Sequence, residues 1–246
     1  MDELVKFIKD SNLNTMVIDV KDDEGNITMK LNTGNKQVDK NTLDIVDGKK
    51  LLKKLHNNNI YPIARIVTFK DTKLAEEHPE WSFKESDGSV WANGKGDSFV
   101  NPFMKEVWDY DITVAKAAAK AGFQDIQFDY VRFPEGFENE ADSLTYSKGD
   151  YKNSKLSSGD QRVDTITKFL EHANKELKPM GVNVSADVFG YSALVKNAPG
   201  IGQSFPKMSE NVDAISSMIY PSHWSNGDFG LDAPDTEPYK TVNRYI

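Results

Sequence analysis

Short apolar strands alternate with helical segments along this entire chain, and that order leaves few folds open. Strand-like stretches recur at 14–21 (NTMVIDVK), 60–69 (IYPIARIVTF), 126–129 (IQFD), 182–191 (VNVSADVFGY) and 212–220 (VDAISSMIY). Strand–helix–strand units run their strands in parallel and cover the sheet with helices. The 246 residues come close to the ~250 of a (β/α)8 barrel, but a closed barrel needs roughly three more strands than the five main ones found here. The chain opens in one helix and ends in another, and open edges of a parallel sheet are costly. The expectation is an α/β chain, a (β/α)8 TIM barrel that is incomplete, lacking roughly one strand before Met1 and two after Ile246. No composition shift or internal repeat marks a boundary, so 1–246 reads as a single domain. The rival is an open doubly wound sheet. No strand, however, is followed by the Gly-rich phosphate loop that often marks that fold's nucleotide-binding members.

Local signals place the helices. Residues 2–9 carry Leu4, Phe7 and Ile8 on one face. Asp47 is positioned to cap a helix bearing Leu51, Leu52 and Leu55. Asn101 followed by Pro102 predicts the start of an alanine-rich helix running to Gly122. A helix over 160–178 would turn Val163, Ile166, Leu170, Ala173 and Leu177 inward. Residues 26–31 allow a small hairpin, 70–100 read as a long loop holding Trp81 and Trp91, and a last helix begins near Asp235.

Composition excludes several classes of function. The net charge of −8 argues against nucleic acid or an anionic membrane as the main partner, because both select basic surfaces. No apolar run nears the ~20 residues that cross a bilayer, and the charged opening MDELVKFIKD is not a signal peptide. With no cysteine, disulfides, thiolate catalysis and cysteine–zinc sites are excluded. His56, His78, His172 and His223 lack the spacing of a histidine zinc site. No cofactor or metal is expected. The Asp22, Asp23, Glu24 run reads as a solvated loop, with a hard-cation site as the lesser alternative.

The chemistry concentrates at strand ends. Successive strand residues face opposite sides, so Asn183, Ser185 and Asp187 share one face while Val184, Ala186 and Val188 share the other. By the same alternation Gln127 and Asp129, Asp19 and Lys21, and Arg65 fall on one interior face. In parallel α/β folds the carboxyl ends of strands carry catalytic groups. Two carboxylates on successive strands, Asp129 and Asp187, suit acid–base or nucleophilic chemistry. A single such Asp is more often structural, capping a helix or pairing with an arginine; the pair together favours a site. Asp19 and Arg65 are as readily a pocket-shaping ion pair as substrate contacts. Tyr130, Tyr191, Tyr220 and Trp224 lie beside these ends, and sugar rings stack on aromatic faces, although loop packing is the plain alternative. His223 reads as a binding residue rather than a general base.

VIDVKDDEG, IARIVTFKD, FDYVRFPEG, VSADVFGY and MIYPSHW, in this order and spacing, resemble a bacterial glycoside-hydrolase-like family of unknown function that carries an FDYVRFP motif. The resemblance spans essentially the whole chain. It implies a TIM barrel distantly similar to the α-amylase superfamily, with Asp129 ending the fourth strand and Asp187 the fifth, where amylase-like barrels carry nucleophile and general acid. This chain departs from them in placing Gln127 where an arginine is usual, and Asp187 where a glutamate is usual. The resemblance also implies an extracellular or cell-surface location.

The reading is hydrolysis of a glycosidic bond in a polysaccharide. Asp129 and Asp187 would be catalytic, and Asp19, Lys21, Arg65, Tyr130, Arg132, Tyr191, Tyr220, His223 and Trp224 would bind the carbohydrate substrate. The alternatives are a carbohydrate-binding barrel that does not cut, and a metal-dependent hydrolase using Asp19, Asp129 and Asp187.

Overall fold

Each of the five apolar stretches forms a strand in the computed structural model, which describes residues 1–246: β1 (Thr15–Lys21), β2 (Tyr61–Val67), β3 (Asp125–Asp129), β4 (Asn183–Phe189) and β5 (Ala214–Met218). They make one parallel sheet in the order β1-β2-β3-β4-β5. The architecture is that of a (β/α)8 TIM barrel, incomplete at five strands. Every residue of the central β3 is buried, as expected of a strand covered on both faces. The outer β5 is only partly covered.

Nine helices connect and cover the strands: α1 (Asp2–Lys9), α2 (Lys36–Lys40), α3 (Gly48–Asn57), α4 (Thr72–Glu77), α5 (Lys105–Ala121), α6 (Phe137–Glu140), α7 (Ser158–Leu177), α8 (Phe205–Ser209) and α9 (Pro238–Tyr245). The core lies between the sheet and α5 and α7. There Val107, Val114 and Ala118 of α5 and Ile166, Phe169 and Leu170 of α7 meet Ala64 and Ile66 of β2, Phe128 of β3 and Ala186 of β4. None of the helices is long and apolar enough to cross a membrane.

Several boundaries differ from the sequence expectation. Asp47 caps α3 as expected, its Oδ1 accepting from the Lys50 N–H at 3.0 Å. The alanine-rich helix starts at Lys105, with Met104 rather than Asn101 before its first turn. Asn101 instead closes a tight turn, accepting from the Phe103 N–H at 3.1 Å while donating to the Ser147 carbonyl at 2.7 Å. The far end is as predicted: Gly122, in the left-handed region at φ +116°, donates its N–H to Ala118 and Ala119. The expected hairpin over 26–31 is absent, and Ile27 bridges instead to Lys21 and Thr42. The expected loop 70–100 holds α4 and a short 3-10 turn at Pro79–Trp81. Trp91 is buried there, and its Nε1–H donates to Glu140 Oε2 at 2.9 Å.

Candidate active site

The site is built where β2, β3, β4 and β5 end. Arg65 on β2 projects toward β3, where its Nε and Nη2 both donate to Asp129 Oδ2, at 2.9 and 2.6 Å. Its Nη1 donates to Asp19 Oδ1 at 2.9 Å, and Nη2 also reaches Asp23 Oδ1 at 3.2 Å. One guanidinium thus gathers carboxylates from two strands and a loop. Burial alone would lower the Arg65 pKa, but Asp129 and Asp19 outweigh it and the net direction is up. The other oxygen of Asp129 accepts the N–H of Tyr130 at 2.6 Å. Tyr130 adopts a left-handed backbone, φ +47°, a strained conformation for a bulky residue. Both oxygens of Asp129 are therefore oriented by the protein.

Asp187 is the lateral neighbour of Asp129. The β3–β4 register pairs Phe128 with Ala186, and each strand's next residue is one of the two aspartates. Asp187 is 9% exposed, and its Oδ1 has no hydrogen-bond partner. Burial, and then the charge of Asp129, push its carboxyl pKa up to about 7, partly offset by Arg65 and the Ser216 hydroxyl. Ser216, facing Asp187 across the β4–β5 ladder, also accepts from Gln127 Nε2 at 3.3 Å. Gln127 is thereby a neutral bridge between β3 and β5.

A cavity of about 550 Å³ opens above these groups, walled by Arg65, Lys95, Asp129, Tyr130, Arg132, Glu135, Phe189, Gly190, Tyr191, Met218, Tyr220, His223 and Trp224. Most of the expected site residues therefore share one cleft. Asp19 is joined to it through Arg65, and Asp187, the lateral neighbour of Asp129, is not among the lining residues. The aromatic wall is continuous: His223 stacks on Phe189 at 6.4 Å between centroids and meets Tyr220 edge-on at 5.0 Å.

Lys21 is the clear correction. Alternation predicts it beside Asp19, facing the cleft. A β-bulge between Asp19 and Lys21 shifts the register, and an extra residue reverses which face the next side chain takes. Lys21 is fully buried on the helix side, 2.7 Å from both Asp71 and Asp111. It is a structural ion pair, not a substrate contact. Burial would pull its pKa down, but the two carboxylates hold it above the usual lysine range.

Sequence reasoning missed Lys95, Glu135, Phe189, Gly190 and Met218 in this wall. Phe189 lies two residues past Asp187 on the same strand, so alternation could have found it. Lys95 arrives on a turn some thirty residues upstream of β3 and carries no local signal. Glu135 follows the FDYVRFP motif directly. No group of three or more His, Cys, Asp or Glu side chains is arranged to hold a metal ion.

Comparison with known proteins supplies the context. The model of a family described as "Putative glycosyl hydrolase domain" matches residues 1–246. A hypothetical protein from Ruminiclostridium thermocellum is 32% identical, with 76% of this chain and 90% of that chain covered, at a TM-score of 0.64. The PgaB (BpsB) glycoside hydrolase domain from Bordetella bronchiseptica superposes at a TM-score of 0.63, with 14% identity, over 99% of this chain and 73% of that one. An alpha-amylase from Lactobacillus plantarum does so at 0.57, with 15% identity, over 98% of this chain and 52% of the enzyme. The chain thus spans about half the length of that amylase. The two likenesses at low identity establish the barrel fold. No protein of curated function matches the chain by this comparison.

Proposed function

The chain belongs to the "Putative glycosyl hydrolase domain" family, and from that premise we propose that it cleaves a glycosidic bond in a polysaccharide, using Asp129 and Asp187. The observation that carries this reading is the asymmetry of the two neighbouring aspartates. Asp129 is ion-paired and oriented by Arg65, as suits a nucleophile. Asp187, buried and pushed up to about 7, keeps its proton near neutrality, as suits a general acid. A carboxyl raised in pKa by burial beside an arginine-oriented carboxylate is a recurring arrangement for this chemistry. Asp129 attacks the anomeric carbon while Asp187 protonates the departing glycosidic oxygen; water then hydrolyses the glycosyl-enzyme bond, with Asp187 taking back a proton. The extracellular or cell-surface setting implied by the family resemblance is part of the same proposal.

A second assignment of the acid has an observation behind it. Glu135 lines the cavity with its side chain 65% exposed, whereas Asp187 does not line it. Reducing-end release from a panel of polysaccharides, measured for wild type, Asp129→Asn, Asp187→Asn and Glu135→Gln, separates the two. The expected result is loss of ~10²–10⁴-fold for the two aspartate variants and retained turnover for Glu135→Gln. The reverse pattern for Asp187 and Glu135 transfers the acid role to Glu135. Glycan binding equal in wild type and Asp129→Asn, with no turnover by either, would make the barrel a recognition module. The anomeric configuration of the first product, read by NMR, tests retention.

A further inference from the structure

Beside the main cavity a second one, of about 350 Å³, shares Lys95, Tyr130, Arg132 and Glu135 with it and adds Lys70 and Asp97. The two form one cleft with Arg132 at the seam. The guanidinium of Arg132 lies between the faces of Tyr130 and Phe189, 4.9 and 4.6 Å from their centroids. Its side chain is 5% exposed. Of five guanidinium donors, Nη1 reaches the Phe133 carbonyl at 3.1 Å and Nη2 reaches Glu135 Oε1 at 3.2 Å, while Nε has no partner. Glu135 is itself mostly exposed, a weak counter-charge for so buried a cation. A buried charge without a well-shielded partner is costly.

Across the seam Asp129 also acts on Arg132, but within the second cavity the charges do not make up the deficit. Lys70 pairs with Asp97 at 3.3 Å. Lys95 is exposed and makes no ion pair, and it rides on a fixed turn in which Asn93 Oδ1 accepts from the N–H of Lys95 at 2.9 Å and of Asp97 at 3.0 Å. Three cations therefore face two carboxylates in this cavity, on a chain whose overall charge is −8. Local excess of the sign opposite to the whole molecule, centred on an under-matched buried arginine, is the expected signature of an anion-recognising subsite.

We propose that the seam between the two cavities is a subsite for an acidic group carried by the glycan, such as a uronate carboxylate, held by Arg132 and Lys95 with Lys70 beside it. The inference rests on the reading of this cleft as a glycan site and narrows its substrate class to acidic polysaccharides. The aromatic faces that sandwich the guanidinium fix its plane, so its free terminal N–H groups meet a planar carboxylate from a constant direction.

The test is an NMR titration of the Arg132 Nε–H resonance in the Asp129→Asn protein at constant ionic strength. Glucuronate and galacturonate are the probes, glucose and galactose the neutral matches, and sodium sulfate the bare anion. At least one uronate should give a saturable shift that both neutral sugars lack. Lys95→Ala should weaken that binding about 2–5-fold, the scale of one exposed ion pair. The absence of a saturable uronate shift, equal shifts with neutral sugars, or sulfate acting as strongly as the uronates would overturn the assignment. Because the readout needs no turnover, a failure here is distinct from a failure of the hydrolase reading, which shows as inactivity of the wild type on the polysaccharide panel.

Discussion

Keeping Asp187 protonated near neutrality costs the fold stability as the pH rises. Its folded pKa of about 7 lies above the ordinary 3.8, so between those values the folded state binds the extra proton. Stability then falls as pH increases through that window, and the whole penalty is present above it. Asp187→Asn removes the penalty. By urea unfolding, the variant should gain little over wild type at pH 4 and about 2–4 kcal/mol at pH 8. Asp111, also pushed up to about 7 by burial, titrates in both proteins and cancels in the difference. A gain that does not vary with pH would show that Asp187 titrates normally. Lys21 carries the opposite kind of charge problem. Lys21→Met leaves Asp71 and Asp111 buried without their cation and should cost about 3–5 kcal/mol. Adding Asp111→Asn should recover part of that loss, and an additive double mutant would argue against coupling. Asp129, Asp187 and Arg65 were legible in the sequence because strand alternation alone determines their face. Lys21 was not, because a bulge leaves no mark in the residue pattern.

At the scale of elements, the strand end of β4 is held by contact rather than by hydrogen bonds alone. A Cβ added to Gly190 would lie 2.6 Å from the Met218 carbonyl oxygen and 3.0 Å from Trp224 Cζ2. Gly190→Ala must push β5 and the Trp224 wall away from β4. A loss of about 1–3 kcal/mol is expected, with a shift in tryptophan emission; an unchanged melting curve and spectrum would show that the β4–β5 end is not close-packed. The strands and the two long helices were readable because each carries a clean period of two or 3.6. The start of α5 was misread because an Asn-Pro pair also suits a tight turn, and here Asn101 is held by Ser147, which follows it by 46 residues. The short helix α4 was missed because six residues give too few periods to register.

Across the whole molecule, burial is uneven. β3 is covered on both faces, whereas β5 and α9 leave much of their surface in water. Hydrogen exchange should therefore find the amides of β2, β3 and β4 most protected, with β5 and α9 opening first. Uniform protection across the sheet would contradict this gradient. The number and order of the strands followed from the sequence, while the merging of two cavities into one cleft did not. That merging depends on a loop at 93–97 and the left-handed turn of Tyr130, neither of which has a periodic signature. The sheet's topology has a kinetic consequence as well. Each ladder joins distant parts of the chain, Thr15 with Tyr61, Ile63 with Asp125 and Asp125 with Asn183, so no pairing can form before a long loop has closed. Folding by such non-local pairings is slow. Arg65 can meet Asp129 only after β2 and β3 have joined, so the cleft is among the last parts of the molecule to come into existence.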